Sequence, residues 1–436
     1  MPDSLSQRFS WYAHHDMRAP HVAAIARGTL AVVLAGGRGA RLGPLTQHRS
    51  KPAVPFGGKF RIIDFPLSNC INSGLRRVAI VTQYKAQSLL RHAQEGWNFL
   101  DGRVHEFIET IPAQQRVGNG WYQGTADALY QNIDLFRAHR PKHILVIAGD
   151  HVYRMDYSVM LLDHIERQAE ATIACIPVSI TQAHEFGIMA VDSAGSVVGF
   201  EEKPAAPASM SSQPGYALAS MGIYVFDAEF LYEELRRDSV DDASSHDFGR
   251  DLIPALVARG CVAAHDFTQS SVVDNDKRPY WRDVGTIDAY WEASIDLTRV
   301  TPELNLYDPA WPILTAEQPL PPAKFVFADR ERRGSALDSL VSSGCIVSGA
   351  HVERSLLSTN VRVGSHSCIE DSIILPDTFV GGHVTLRKAI VDRSCVLPDG
   401  FSAGVNPEVD RARFYVTDSG VLVITPDMLR EHSRGA

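Results

Sequence analysis

The chain has 436 residues, enough for two or three domains, and its formal net charge of -9 excludes bulk attraction to nucleic acid. Hydrophobic residues make up 45% and charged residues 21%, an ordinary globular balance, and no apolar run approaches the roughly 18 residues that cross a bilayer. The six cysteines form no C-x-x-C pair, so they suggest neither a disulfide framework nor a zinc site, and a reducing cytoplasm is the default expectation.

Residues 1–27 form a polar arm with His14, His15, Arg18, His21 and Arg27 and no apolar leader core. Residues 28–300 then alternate apolar runs with amphipathic segments. Candidate strands are 31–34, 78–81, 144–147 and 171–176, and candidate helices include 85–95 and 156–168. This alternation predicts an α/β domain with a mostly parallel sheet and helices on both faces. In such sheets ligands bind beyond the carboxyl ends of the strands.

The first strand runs into Leu34-Ala35-Gly36-Gly37-Arg38-Gly39-Ala40-Arg41-Leu42. Glycines let backbone N–H groups close on phosphate oxygens, and Arg38 and Arg41 add charge-assisted hydrogen bonds. The loop lacks both the Gly-Lys-Ser/Thr of a P-loop and the G-x-G-x-x-G spacing of a dinucleotide fold. Lys51, in Lys51-Pro52-Ala53, is near enough in sequence to reach outer phosphates; taken alone, it reads as a solvated loop lysine.

Gln114 and Gln115 offer paired amides suited to a base edge. Trp121-Tyr122-Gln123-Gly124-Thr125 precedes a helix expected near Ala126, with Gly124 able to approach a nucleotide. Gly149-Asp150-His151 follows the third candidate strand. Asp150 there suits Mg²⁺, which prefers one or two carboxylates plus phosphates, or else caps a helix. Glu202-Lys203-Pro204 places an acid and a base on a segment that Pro204 should keep extended. That pair suits a sugar hydroxyl and a sugar phosphate, or is an ordinary surface ion pair. Tyr280-Trp281-Arg282-Asp283 sets aromatics beside a carboxylate, for sugar stacking and a second metal ligand, or for plain packing.

Residues 301–338 contain Pro302, Pro309, Pro312, Pro319, Pro321 and Pro322, then the charged run 329–333, and read as a linker. Residues 339–436 read as a separate domain, and from about 340 to 405 the helical period vanishes. Ile346, Val352, Leu357, Val363, Ile369, Ile374, Val380, Val384, Ile390 and Val396 recur every four to six residues. This near-hexad predicts a parallel β-helix, with a β-sandwich as the alternative. Val421 to Ile424 would cap it.

Together these segments closely resemble the bacterial glucose-1-phosphate adenylyltransferases, the ADP-glucose pyrophosphorylases, over about residues 28 to 430. The resemblance also rests on residues 56–65, 219–224 (Ala-Ser-Met-Gly-Ile-Tyr) and 244–249 (Ser-Ser-His-Asp-Phe-Gly). It implies a Rossmann-like catalytic domain, a left-handed β-helix and a homotetramer. It implies that Gly36, Gly37, Arg38 and Gly39 bind ATP phosphates, with Arg41 and Lys51 toward pyrophosphate, Gln114 reading adenine, and Tyr122 and Gly124 lining the nucleotide and sugar sites. Asp150 and Asp283 would hold Mg²⁺. Gly187, Glu202, Lys203, Ser220 and Tyr224 would bind glucose 1-phosphate, and Asp247, Phe248 and Trp281 would shape the sugar pocket. Lys59, Arg61 and Arg393 match positions where phosphorylated metabolites and adenine nucleotides act as effectors. The 1–27 arm is longer than the family's.

The expected reaction joins ATP and α-D-glucose 1-phosphate into ADP-glucose and pyrophosphate, for glycogen synthesis, with Arg38, Arg41, Lys51, Asp150 and Lys203 as the catalytic set. The rivals are the same transfer from UTP or dTTP, a non-catalytic regulatory paralogue, and an acyltransferase built on the β-helix. Asp150 and Lys203 argue against the second. His351, His366 and His383 lack a convincing partner cluster for the third.

Overall fold

The computed structural model describes residues 21–116, 121–273, 278–329 and 332–435. Most of the N-terminal arm (1–20), with His14, His15 and Arg18, and Arg330 and Glu331 of the charged run lie outside the described residues.

Four apolar runs become the parallel heart of one sheet: β1 (Thr29–Leu34), β2 (Arg77–Thr82), β3 (Phe107–Pro112) and β4 (His143–Ala148). β1 lies between β4 and β2, with Val33 opposite both Ile147 and Ile80. The pleat sends alternate residues to opposite faces, and both faces are covered. Val33, Ile80 and Ile147 enter one core, while Val32, Val81 and Val146 enter the other. This is why the runs read as continuously apolar rather than alternating.

Five further strands complete the sheet: β5 (Ala171–Ser179), β6 (Gly187–Val191), β7 (Val197–Glu202), β8 (Tyr216–Asp227) and β9 (Val262–Asp266). The order is β7-β6-β8-β4-β1-β2-β3, with β5 paired to β8 and β9 to β5. β8 runs antiparallel to β4, so the sheet is mixed on that side. Helices α1 (Asp64–Asn72), α2 (Gln87–Gly96), α3 (Thr125–Tyr130), α4 (Tyr157–Glu166), α5 (Ala228–Ser239) and α6 (Ile287–Asp296) connect and cover it. Segments 85–95 and 156–168 are thus α2 and α4, each slightly shorter than expected.

The C-terminal part is a parallel β-helix of three sheets. Val352, Ile369, Leu386 and Ala403 stack in register on one sheet, at 17-residue intervals. The expected hexad was one residue out of phase at two places. Val396 is 65% exposed and Leu397 is buried, and Val347 rather than Ile346 fills the interior. Both positions lie in apolar doublets, so periodicity alone cannot choose the inward member. Val421–Ile424 does not close the stack from outside: Leu422–Ile424 is a rung, parallel to Ala389–Val391.

The strand stack begins at Lys324, within the proline-rich stretch, and that stretch is packed along the catalytic part. Trp311 donates to Asn69 Oδ1 at 2.9 Å, and Thr315 donates to Asp64 Oδ2 at 2.7 Å. A third core joins the two parts, with Leu42, Phe56, Phe65 and Tyr290 against Leu356, Ile373, Ile390 and Val423. Trp291 Nε1 donates across this seam to the Asp371 carbonyl at 2.8 Å.

Candidate active site

The carboxyl ends of β1 and β4 are adjacent, with Leu34 opposite Ala148. The glycine loop and Gly149-Asp150 therefore leave the sheet side by side, and Gly149 N–H donates to the Leu34 carbonyl at 2.9 Å. Gly39 turns the loop with φ 61°, and a Cβ there would lie 2.7 Å from Lys51 Cβ. Glycine at 39 thus both makes the turn and leaves space for Lys51.

Lys51 is not a solvated loop lysine. Its side chain is 5% exposed, and its ammonium lies 3.0 Å from Asp150 Oδ2 and also pairs with Asp283. Asp283 comes from the far side, after a short strand (Trp281–Arg282) that pairs with Val152–Tyr153 beyond Asp150. Arg41 reaches Asp283 Oδ2 at 3.0 Å and pairs with Glu185. Burial alone would raise the Asp283 carboxyl, but Lys51, His151 and Arg41 outweigh it and hold it down at about 2. Burial likewise opposes ionisation of Asp150, and Lys51 and His151 overcome it, so its pKa too lies below the ordinary value. Both carboxylates are ionised at neutral pH.

Two cavities meet here. One, about 400 Å³, is lined by Gly36, Gly37, Gln83, Gly124, Asp247 and Phe248. The other, about 440 Å³, is lined by Gly39, Arg41, Lys51, Gly187, Lys203 and Ser220. Asp150, Glu202, Gly222 and Tyr224 border both. Ser220 and Tyr224 flank Gly222, at φ 68°, where the β8–β5 register shifts. Glycines make room for the Glu202 carboxylate: a Cβ on Gly187 would be 2.8 Å, and on Gly249 2.6 Å, from Glu202 Oε2. Tyr224 stacks on Phe248 with centroids 5.5 Å apart. Asp247 accepts from Gly249 and Arg250 N–H groups and from Thr125 Oγ1, fixing that wall.

Several expected residues sit differently. Lys203 is not extended: β7 ends at Glu202, and Lys203 turns to φ 50° with its N–H on the Phe186 carbonyl at 3.0 Å. Its ammonium is 3.4 Å from Glu202 Oε1. Arg38 is exposed, lies 5.6 Å from the Tyr84 ring centroid and lines neither cavity. Gln114 is exposed in the loop after β3, outside the lining of either cavity. Tyr122, by contrast, lines the first cavity as expected, with its hydroxyl accepting from Asn132 in the core. Trp281 stands behind His151, at 5.1 Å between ring centroids, and lines a neighbouring cavity of about 1030 Å³.

Sequence reasoning missed Gln83 and Glu185. Gln83 lines the first cavity and anchors Tyr122 O at 3.1 Å. Glu185 positions Arg41 from a turn just before Gly187. Neither lies in a glycine-rich or aromatic motif that would have marked it.

Lys59, Arg61 and Arg393 lie away from this rim, at the seam between the two parts. Lys59 follows Gly58, whose carbonyl accepts from Thr359 N–H at 3.3 Å. Arg61 donates to the Ser88 carbonyl at 2.7 Å. Its pKa is lowered to about 10, first by burial and then by the charges of Arg393 and Arg49, despite Asp64. Arg49 itself is buried against Asp392.

The nucleotidyl transferase family model matches residues 30–300, and the GlmU-like C-terminal hexapeptide model matches residues 321–424. With the three parallel sheets, the latter agrees with the expected left-handed β-helix over a β-sandwich. Among curated proteins, the glucose-1-phosphate adenylyltransferase of Nitrosospira multiformis is 59% identical over 93% of this chain and 95% of its own length. That of Nitrosomonas europaea is 59% identical over 94% and 95%, and that of Methylobacillus flagellatus 57% over 94% and 96%. The chain belongs to the glucose-1-phosphate adenylyltransferase family of nucleotidyl transferases.

Proposed function

We propose that this chain transfers the adenylyl group of ATP to α-D-glucose 1-phosphate, giving ADP-glucose and pyrophosphate. The observation that carries this reading is the pair of cavities meeting at Asp150, one walled by the glycine loop and the other by Glu202, Lys203 and Ser220. The first suits the nucleotide and the second the sugar phosphate. UTP or dTTP would need the same phosphate loop; the family identity favours ATP.

The sugar phosphate is already ionised at pH 7, so the reaction needs no general base. One of its oxygens bonds to the α-phosphorus as the bond to the pyrophosphate oxygen breaks. The electron pair leaves on pyrophosphate. Catalysis is positioning and charge neutralisation. Backbone N–H groups at Gly36, Gly37 and Gly39 cradle the triphosphate, and Arg41 and Lys51 hold the pyrophosphate side. Lys203 draws the sugar phosphate into line, while Glu202 and Ser220 hold sugar hydroxyls. Arg38 and Gln114 serve as phosphate and adenine contacts only if the loops carrying them turn toward the nucleotide.

Asp150 and Asp283 fit a divalent cation. Their carboxylates converge on one point, and the Lys51 ammonium already balances their charge there. With His151 they form a group whose ligand atoms all lie within 4.8 Å of one another. An oxygen-rich set of this kind suits Mg²⁺, which would neutralise phosphate charge when bound.

The reading extends to regulation and assembly. Arg61, Arg393 and Lys59 gather positive charge at the seam between the parts, which suits phosphorylated metabolites and adenine nucleotides as effectors. Phe379 and Val396 are neighbours on the outer face of the β-helix and are 47% and 65% exposed, an apolar row that suits a homotetramer. All six cysteines are free, as a reducing cytoplasm requires, and among the described residues no helix is long and apolar enough to cross a membrane. The test is product identity. Enzyme, ATP, glucose 1-phosphate and Mg²⁺ should yield ADP-glucose and pyrophosphate in equal amounts; ADP or AMP as the nucleotide product would refute the reaction.

A further inference from the structure

At the opposite end of the strands, three residues from three elements converge. His143 opens β4, Asp227 ends β8 directly opposite it in register, and His164 lies in the last turn of α4. His143 Nδ1 is 3.0 Å, and His164 Nε2 3.7 Å, from the same oxygen, Asp227 Oδ1. Both nitrogens are buried, and each faces the Asp227 carboxylate without a well-directed hydrogen bond to it. His164 as a whole is 1% exposed. Two buried imidazole nitrogens aimed at one carboxylate oxygen leave room for a shared ligand between them.

We propose that His143, His164 and Asp227 form a second metal site, which takes a zinc-class transition ion on two imidazoles and one carboxylate. Ligand atoms of a tetrahedral zinc centre lie about 3.3 Å apart, given bonds of about 2.0–2.2 Å. The two separations to Asp227 bracket that value. The tautomer is prepared as well. His164 Nδ1 lies 2.8 Å from Thr172 Oγ1, and donating that proton leaves the Nε2 lone pair facing the site. The Asp227 side chain is 52% exposed, which opens the fourth position to water. Two nitrogens select against Mg²⁺, which prefers oxygen.

The site is separate from the catalytic cleft. Asp150 lies beyond the other end of β4, about 20 Å away at a strand's rise per residue. A bound ion would clamp β4, β8 and α4 together and would stabilise the fold without entering the reaction.

Cobalt(II) serves as a spectroscopic stand-in for zinc, added to the full-length protein in excess Mg²⁺ so that the catalytic carboxylates are occupied. The expected result is one equivalent bound with the visible absorption of a tetrahedral nitrogen–oxygen site, displaced by Zn²⁺. The signal should persist in Asp150→Asn, disappear in His143→Gln, and weaken about 10-fold or more in Thr172→Val. His143→Gln and Thr172→Val should keep wild-type turnover with Mg²⁺. Should His143→Gln fail to fold, Asp227→Asn, altered at a half-exposed side chain, replaces it. No tetrahedral spectrum in the wild type, or one lost in Asp150→Asn and kept in the histidine or Asp227 variant, would overturn the proposal.

Discussion

Lys51 Nζ stands 3.0 Å from Asp150 Oδ2, buried at the junction of the two cavities. The same ammonium pairs with Asp283, so one cation ties together carboxylates 133 residues apart in sequence. In the enzyme reading, that junction is where charge on the α-phosphate of the transferring adenylyl group is balanced. It is also the point at which a divalent cation fits.

Asp150→Asn is nearly isosteric and keeps the fold, but it removes one negative charge from the junction. Turnover at saturating substrates should fall about 100-fold or more, close to 3 kcal/mol of transition-state stabilisation. Steady-state rates over a Mg²⁺ series measure this. Wild-type turnover at ordinary Mg²⁺ would remove Asp150 from the centre.

Asp283 makes the fold acid-sensitive in a defined window. Its folded pKa of about 2 lies below the ordinary carboxylate value of about 3.9. A depressed carboxyl contributes stability that is fully present above the unfolded value and is lost as pH falls through the folded one. The contribution is of order 2 kcal/mol at neutral pH. Thermal midpoints of wild type and Asp283→Asn should therefore differ at pH 6 and converge between about pH 4 and pH 2. A gap independent of pH would show that the charge of Asp283 is not what matters.

Gly124 lines the first cavity, and its lack of a side chain lets the 244–249 loop pack close. A Cβ there would lie 2.2 Å from the His246 carbonyl oxygen, which caps α3 by accepting from Ala126 and Asp127 N–H groups. Gly124→Ala must push that backbone away, and Asp247 and Phe248 with it. Overpacking of this kind costs about 1–3 kcal/mol. The KM for ATP, whose cavity these residues line, should rise and the thermal midpoint should drop. Unchanged values for both would mean that the 244–249 loop yields without consequence.

Lys59→Ala and Arg393→Ala test the seam between the parts. Each should shift the midpoint of an activating or inhibiting phosphorylated effector by about 10-fold, as for one lost charge-assisted contact. Basal activity should stay within a few fold. Undiminished effector response in both, or collapse of basal turnover in either, contradicts the regulatory reading.

The fold was readable where burial is two-sided and repetitive. β1, β2 and β4 are apolar runs rich in β-branched residues, and the β-helix announces itself by its period. Phase was lost at Val396, where its neighbour Leu397 is equally apolar and the inward side is set by register. At the site, motif residues flanked by glycine were visible, but their partners were not. Glu185 acts through Arg41, and Gln83 through Tyr122, in contacts made only by the folded chain. Lys51 read as a loop lysine because its two carboxylates arrive from distant segments. Lys203 was expected to be extended because Pro204 follows it, yet the Phe186 carbonyl fixes its N–H and the turn prevails.

The most direct test of the central claim compares kcat/KM for ATP, UTP, dTTP and GTP with glucose 1-phosphate as acceptor, read as sugar nucleotide formed. The account predicts ADP-glucose as the main product, with ATP preferred by about 100-fold or more, the discrimination expected of a site that hydrogen-bonds one base. Equal or better use of UTP or dTTP would contradict it, and so would the absence of any sugar nucleotide with all four.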